Sequence, residues 1–572
     1  MNADPSVAEF PVGAAFGQNH QGGEIHAKLI TAGILLIALV IAVVGGGRAL
    51  PVDSHEVFVA RTAEEMIARH SWIVPWMNDE PRLKKPPLSY WTVMAVDRIN
   101  GGDGVVQVWE ARLPSVIGGL LLAAGTLCLG RRAFGETIGV LAALMLVTSG
   151  AYISMTHNAR PEMLYAGLCM MGFVCFYRAW QSAETQATSS KLFSIAHLGW
   201  LFMGLAMLAK GPQLPIPIIL GWVIGLAICG KRKTILPSLR PISGVLIAAA
   251  VSVWWFVLVE RMVPQAASVW SGETSNRYFA DDEPKARWLD PYYLYQTAKL
   301  MLPWVIPYGL AVLAPWLKEL KSTPQAKALW VIAVTCGAVL HISLGRRDYY
   351  MLPVTGIVAV IMAAASVKVL ETLVAHGKSG LAKLLALLHT LIFAGIIIER
   401  RINLDSLIQP SILGIVIVCV AAALVIVLIL SQRSISIASS CALLPMLAAV
   451  VFSVTAENTR SLWDVERVTR LQFCDQLAPL IAPDTKLIGW QDRWEVDQYY
   501  FHRTIPSYDN EKDLRTALDQ QVPCLLLTTN DEDRSYAAPN LGSKYQHEVL
   551  LRTETQTRPI ELWRVTRSGK SD

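Results

Sequence analysis

Apolar runs of about 20 residues, the length that spans a bilayer, recur from Leu29 to Val454 and leave the chain few folds. In hydrocarbon every backbone N–H and C=O must be paired within the protein, so such runs form helices. Spans are expected at Leu29–Val44, Leu113–Leu129, Ile138–Met155, Met163–Tyr177, Phe193–Leu208, Leu214–Cys229 and Ile242–Val259. Others are expected at Thr297–Trp316, Ala328–Leu344, Met351–Val369, Leu381–Ile398, Ser411–Leu430 and Ile435–Val454, which makes about thirteen. The residues are 53% hydrophobic and only 17% charged, a balance that excludes an ordinary soluble protein of 572 residues. No zinc-type Cys/His spacing, Walker loop or dinucleotide fingerprint is present.

The predicted organisation has three parts. Residues 1–28 are polar, Gly-rich and read as a flexible cytoplasmic N-terminus. Residues 29–454 form the transmembrane domain, whose first span lacks a cleavage site behind it and is read as uncleaved. Within it, 53–109 is a polar and aromatic insertion with amphipathic helices on the outer surface. Residues 455–572 alternate short apolar runs ("KLIGW", "CLLLTT", "IELWRV") with charged stretches, the pattern of a small soluble α/β domain. Its two cysteines, Cys474 and Cys524, are candidates for a disulfide if that domain faces an oxidising compartment.

Orientation follows from the short basic loops. With the N-terminus inside, Arg131-Arg132, Arg178 with Lys191, Lys231-Arg232-Lys233, Lys318 with Lys321, and Arg433 all fall on the inner side. The C-terminal domain is then outside. So are Asp53, His55, Glu56, Lys84, Lys85, Arg160, Glu162, Lys210, Arg277, Arg346, Arg347 and Tyr350.

Ionisable groups at membrane depth are costly and mark sites of function by default. Any one of these side chains alone has a plainer reading as an interfacial anchor. As a set, beside Pro and Gly turns, they suit an anionic, membrane-borne substrate. Asp53, Glu56 and Glu162 are candidate bases for a hydroxyl or ligands for a cation. For Asp53 and Glu56 the plainer alternative is charge at a helix start, since apolar Val57, Ala60, Ala63 and Ile67 follow at helical spacing. His55 offers a nitrogen to a divalent metal ion, although no second ligand follows at a fixed spacing. Lys85, Lys210, Arg277 and Arg347 are candidate phosphate ligands, with Tyr350 beside them.

These segments carry a resemblance. "SHEVFVARTAEEMIARHSWIVPWMNDEPRLKKPPLSYW" is similar to the first outer loop of the GT-C-type glycosyltransferases that use polyprenyl-phosphate sugars. Within them it most resembles the aminoarabinose transferase and protein mannosyltransferase-like group. "RPEM", "GLAMLAKGP", "ETSNRYF", "DPYYLY" and "SLGRRDYYMLP" resemble later family blocks in the same order.

The resemblance implies GT-C architecture in the inner (plasma) membrane, with an extracytoplasmic active site. It implies Lys85 and Arg277 as donor-phosphate contacts, Tyr350 as a lining residue and Lys210 as the family's charged turn. Glu56 matches the second acid of the family's acid pair, while His55 stands where the first would be. Glu162 stands where the family often has Asp, and Lys84 where the aminoarabinose enzymes frequently have an acid.

The implied function is transfer of a monosaccharide from a polyprenyl-phosphate donor, with inversion, to a lipid A-like lipid, a glycan or a protein. The alternatives are a transporter or flippase for a lipid-linked anionic sugar, or a non-catalytic assembly protein on the same scaffold. No nucleic-acid partner is implied.

Overall fold

The computed structural model describes residues 20–43, 54–184, 194–212, 214–228, 232–278, 290–342 and 346–378, with isolated positions between 380 and 388. From 470 to 568 it describes all but 471, 483, 492–493, 530–538 and 554–558. The expected spans Ser411–Leu430 and Ile435–Val454, and most of Leu381–Ile398, lie outside the described residues.

The helices of the membrane part are α1 His20–Val43, α2 Ser54–Ala68, α3 Leu88–Ile99, α4 Val108–Phe134, α5 Glu136–Val147, α6 Gly150–Thr156, α7 Pro161–Glu184 and α8 Ile195–Lys210. They continue with α9 Pro215–Ile228, α10 Arg232–Ile235, α11 Pro241–Met262, α12 Ala266–Tyr278, α13 Tyr292–Leu300, α14 Val305–Val312, α15 Lys318–Lys321, α16 Pro324–Ile342 and α17 Thr355–Ala375. A 3-10 turn, Asp348–Val354, leads directly into α17.

The chain is an all-α polytopic membrane protein with a C-terminal β-sheet domain, and among the described residues not every expected span is a single full-length helix. Among the described residues, five helical stretches are long and apolar enough to cross a membrane: Val108–Phe134, Pro161–Glu184, Leu236–Met262, Pro324–Ile342 and Asp348–Ala375. A sixth appears if α5 and α6, bent by 57°, count as one.

Three further expected spans are shorter apolar helices, Ala27–Val43, α8 and α9. The expected span Thr297–Trp316 is broken into α13, α14 and a 3-10 turn. Pro303 lies at the first break, where its missing N–H cannot continue a helix. Apolar length alone does not show such breaks, because Pro and Ser-Gly interrupt a helix without changing the hydropathy.

Close packing holds α4 and α7 together. A Cβ added to Gly118 would lie 2.4 Å from Leu164 N, and one added to Gly167 would lie 2.3 Å from Gly118 O. Small residues of this kind let membrane helices touch along their backbones, where dispersion replaces the missing hydrophobic drive.

The insertion after α1 forms its own layer. Val57, Ala60, Ala63 and Met66 of α2 pack on Tyr90, Val93 and Met94 of α3 and on Val106 and Val108, so the expected amphipathic helix is present. Between α2 and α3, β1 Trp76–Met77 pairs with β2 Glu80–Pro81. Asn78 and Asp79 have φ of 56° and 63°, which a two-residue hairpin turn requires and Asn and Asp tolerate. The Glu65 carboxylate accepts both turn N–H groups, at 2.8 and 3.2 Å. This hairpin delivers Lys84-Lys85-Pro86-Pro87 to the start of α3.

The C-terminal domain contains β3 Leu487–Trp490, α18 Glu495–Tyr500, β4 Ser507–Tyr508, α19 Glu511–Gln521, β5 Cys524–Thr529, β6 Tyr545–Arg552 and β7 Ile560–Arg567. The sheet order is β4-β3-β5-β7-β6, with β3 parallel to β4 and β5 and the other pairs antiparallel. Both faces are covered, so the central strand β5 is buried throughout, as its unbroken "CLLLTT" implied. Cys474 and Cys524 are both buried, free thiols. The Cys474 thiol donates to Asp497, and burial raises it well above the usual thiol range.

The domain docks on the α2 layer rather than standing apart. Tyr499 of α18 enters the α2–α3 core and donates its hydroxyl to Val106 O at 2.8 Å. His502 Nδ1 lies 3.0 Å from Glu64 Oε1.

Gly118→Leu is expected to destabilise the protein by about 1–3 kcal/mol or more through forced separation of α4 and α7. A lowered thermal midpoint in detergent would show it, whereas an unchanged midpoint would mean that the helices do not touch there.

Candidate active site

Where α7 begins and α8 ends, two opposite charges meet. Pro161 occupies the first position of α7, where its missing N–H is harmless, and Glu162 follows in the first turn. Lys210 is the last residue of α8, at the end where a helix favours a cation, and Gly211 stops the helix with φ +118°. Lys210 Nζ lies 3.1 Å from Glu162 Oε1, with the two side chains only 10% and 6% exposed.

Three aromatic rings surround the ammonium: Tyr165 at 5.7 Å, Tyr349 at 5.1 Å and Tyr350 at 4.9 Å from Nζ. The guanidinium of Arg160 lies 5.6 Å from the Tyr349 ring. Tyr165 accepts the Leu214 N–H at 2.8 Å, which ties the start of α9 to the same place. Glu162, Tyr165, Lys210, Leu214, Tyr349 and Tyr350 line a small cavity. Lys85 and Arg160 also act electrostatically on the Glu162 carboxylate. Its second oxygen, Oε2, is buried without a hydrogen-bond partner among the described residues.

Residues 162, 210 and 350, distant in sequence, therefore line one cavity, and 85 and 160 act on its carboxylate. Lys85 is half-buried and followed by buried Pro86 and Pro87, while Lys84 is exposed. The lysine pair thus divides into one inward and one outward member.

The remaining predicted residues fall elsewhere. Glu56 is buried in a two-pronged contact with Arg112, Nε to Oε1 at 2.8 Å and Nη2 to Oε2 at 2.9 Å. Glu56 Oε1 also accepts the Ala159 N–H at 2.6 Å. Arg347 is exposed, and it is its neighbour Arg346 that pairs with Asp290 at 3.0 Å. Arg277 lies in α12, with its side chain outside the described residues, and Asp53 is likewise outside them.

His55 is exposed, its ring 5.9 Å from Phe58. Among the described residues no three His, Cys, Asp or Glu gather into a metal-binding group. Glu56 is committed to Arg112 and Ala159, and Asp53, the other acid beside His55, lies outside the described residues.

Sequence reasoning missed Arg112, Tyr349 and Tyr165. Arg112 did carry a signal, since it is an arginine at the head of an apolar run ("WEARLPSVIGGL"). The two tyrosines had none, because aromatic residues are ordinary in spans.

A second, larger cavity has a volume of about 320 Å³. Tyr293, Leu294, Tyr308, Trp330, Val334 and Met351 are among its lining, from α13, α14, α16 and the 3-10 turn. Met351 of this apolar lining follows Tyr350 in the 3-10 turn.

The chain combines a membrane domain with broken helices, an outer layer built on α2 and α3, and a C-terminal sheet domain. The structure of ArnT from Cupriavidus metallidurans bound to undecaprenyl phosphate superposes with a TM-score of 0.69 at 16% identity, covering 95% of this chain and 98% of that one. Its apo form gives 0.68 at 17% identity.

Residues 84–255 match the family described as dolichyl-phosphate-mannose-protein mannosyltransferase. Undecaprenyl phosphate-alpha-4-amino-4-deoxy-L-arabinose arabinosyl transferase of Photorhabdus laumondii is 22% identical over 57% of this chain and 56% of its own length. The protein of the same name from Shewanella sediminis is 22% identical over 78% of this chain and 80% of its own. An uncharacterised protein of Aquifex aeolicus is 28% identical over 42% of this chain and 45% of its own. The chain thus spans about half the length of the Aquifex and Photorhabdus relatives. By fold and sequence together it is related to the GT-C-type polyprenyl-phosphate sugar transferases of the ArnT and protein mannosyltransferase group.

Lys210→Met would leave Glu162 charged and unpaired in a buried place, at a cost of about 3–5 kcal/mol. Thermal unfolding in detergent should show that loss, and Glu162→Gln in the same chain should recover most of it. If the double variant is no more stable than Lys210→Met alone, the two side chains are not a pair.

Proposed function

We propose that this protein is an integral membrane glycosyltransferase that moves a monosaccharide from a polyprenyl-phosphate donor to an acceptor outside the cytoplasm. The acceptor is a lipid A-like lipid, a glycan or a protein. The observation that carries the reading is the cavity lined by Glu162, Lys210, Tyr349 and Tyr350, with Lys85 and Arg160 acting electrostatically on the Glu162 carboxylate, whose Oε2 is buried without a hydrogen-bond partner among the described residues. The relatives and the family described above, whose names specify undecaprenyl phosphate or dolichyl-phosphate-mannose, support the donor class.

A sugar on a phosphodiester already has a good leaving group, so the step needs positive charge where the departing phosphate gains charge. Lys85 and Lys210 supply it from the described site, with Arg277 and Arg347 as further donor-side cations and Tyr350 as a wall. When Lys210 turns to the phosphate, Glu162 is released to accept the proton of the acceptor hydroxyl. That hydroxyl displaces the phosphate directly, which inverts the anomeric carbon and forms no covalent intermediate. Of the three predicted carboxylates, Glu162 is assigned the base. The apolar slot beside Tyr350 takes the first part of the polyprenyl chain.

The proposed setting is the inner membrane, with about thirteen spans in the whole chain and the site and C-terminal domain outside. No step is routed through a metal. The expectation of a divalent ion at His55 is a separate matter, read by adding Mg²⁺ or Mn²⁺ to EDTA-treated enzyme.

The test is transfer from a labelled polyprenyl-phosphate sugar by the purified, reconstituted protein. Glu162→Gln and Lys85→Ala should each lower kcat by about 10²–10⁴-fold, the range of a positioned base or charge. Retention at the anomeric carbon would rule out direct displacement. Lipid movement across the bilayer without a glycosidic product would instead make the protein a transporter.

A further inference from the structure

Glu56 and Arg112 form a buried ion pair that the proposed chemistry leaves unused, with side chains 2% and 3% exposed. Pairs of this kind are expensive to desolvate and are often no more stabilising than apolar packing. Here the pair does something geometric. The guanidinium grips both carboxylate oxygens, and the gripped Oε1 takes the N–H of Ala159.

Ala159 sits in the turn between α6 and α7, immediately before Arg160, Pro161 and Glu162. The same turn is held from two other sides. Ser115 of α4 donates to Asn158 O at 2.7 Å and to Arg160 O at 3.1 Å, and His157 Nε2 lies 2.7 Å from Ile41 O of α1.

We propose that Arg112 and Glu56 are positioning residues that set the α6–α7 turn, and with it the points at which Arg160 and Glu162 enter the cavity. This rests on the reading of Glu162 as the group that meets the acceptor. Arg112 orients the carboxylate, the carboxylate fixes the Ala159 amide, and the amide sets the start of α7. The acid at the head of α2 thereby acts through a backbone bond and not on the substrate. A misplacement of about 1 Å at a reacting group is enough to cost ~10²-fold in rate.

Glu56→Gln separates this role from a general base. Its carbonyl oxygen at the Oε1 position still accepts from Arg112 Nε and from the Ala159 N–H, and only the Nη2 contact and the charge are lost. Expected is a fall in kcat of no more than about 10-fold, with the pH profile of the wild type, whereas Glu56→Ala falls ~10²-fold with the donor KM little changed. Arg112→Lys keeps the charge but loses the two-pronged grip, so it should lower kcat while the thermal midpoint moves little. This arm decides the matter if Glu56→Ala does not accumulate.

A Glu56→Gln enzyme that is folded but as inactive as Glu56→Ala would overturn the proposal, and so would full activity in Arg112→Lys. Glu162→Gln measured in parallel distinguishes the two failures. If it is active, the acceptor role of Glu162 is wrong. If it is inactive beside an inactive Glu56→Gln, only the positioning role is wrong.

Discussion

The contact between Glu162 and Lys210 is the constraint that the site depends on. Neither charge is tolerable alone at membrane depth, so the start of α7 and the end of α8 must meet. Pro161 and Gly211 give each helix a defined end at that meeting point. The ammonium then attracts the faces of Tyr165, Tyr349 and Tyr350, which brings the 3-10 turn before α17 onto the same place. A single ion pair therefore organises three segments and leaves one buried carboxylate oxygen without a hydrogen-bond partner among the described residues.

The outer layer supports that centre without entering it. Glu65 holds the hairpin turn that presents Lys85, and Glu64 contacts His502 of the sheet domain. At the other end of α2, Glu56 reaches through Arg112 and Ala159 to the turn ahead of Glu162. Helix α2 is thus a strut with acids along its length, each committed to a different neighbour. The C-terminal domain docks on this strut through Tyr499, so its weight falls on the positioning layer and not on the cavity.

Much of this was legible from the chain. The apolar runs dictated helices because hydrocarbon permits nothing else, and α2 appeared where its apolar residues recurred at helical spacing. Lys85, Lys210, Glu162 and Tyr350 could be singled out because charge or a Pro-bounded turn at a span end has few uses. The count of spans was not legible, because Pro303 and the Ser149-Gly150 break divide runs that hydropathy reads as whole.

The sequence by itself determined the class of fold and the side on which the charges gather. Only the tertiary structure decided what meets each of these acids. Glu56 and Glu162 look alike as carboxylates near the head of a helix, and composition gives no way to rank them. Arg112 and the Ala159 amide occupy both oxygens of Glu56, while Glu162 keeps one oxygen unpartnered among the described residues. A carboxylate's role is set by what meets its lone pairs, and those partners lie 56 and 103 residues away in the chain.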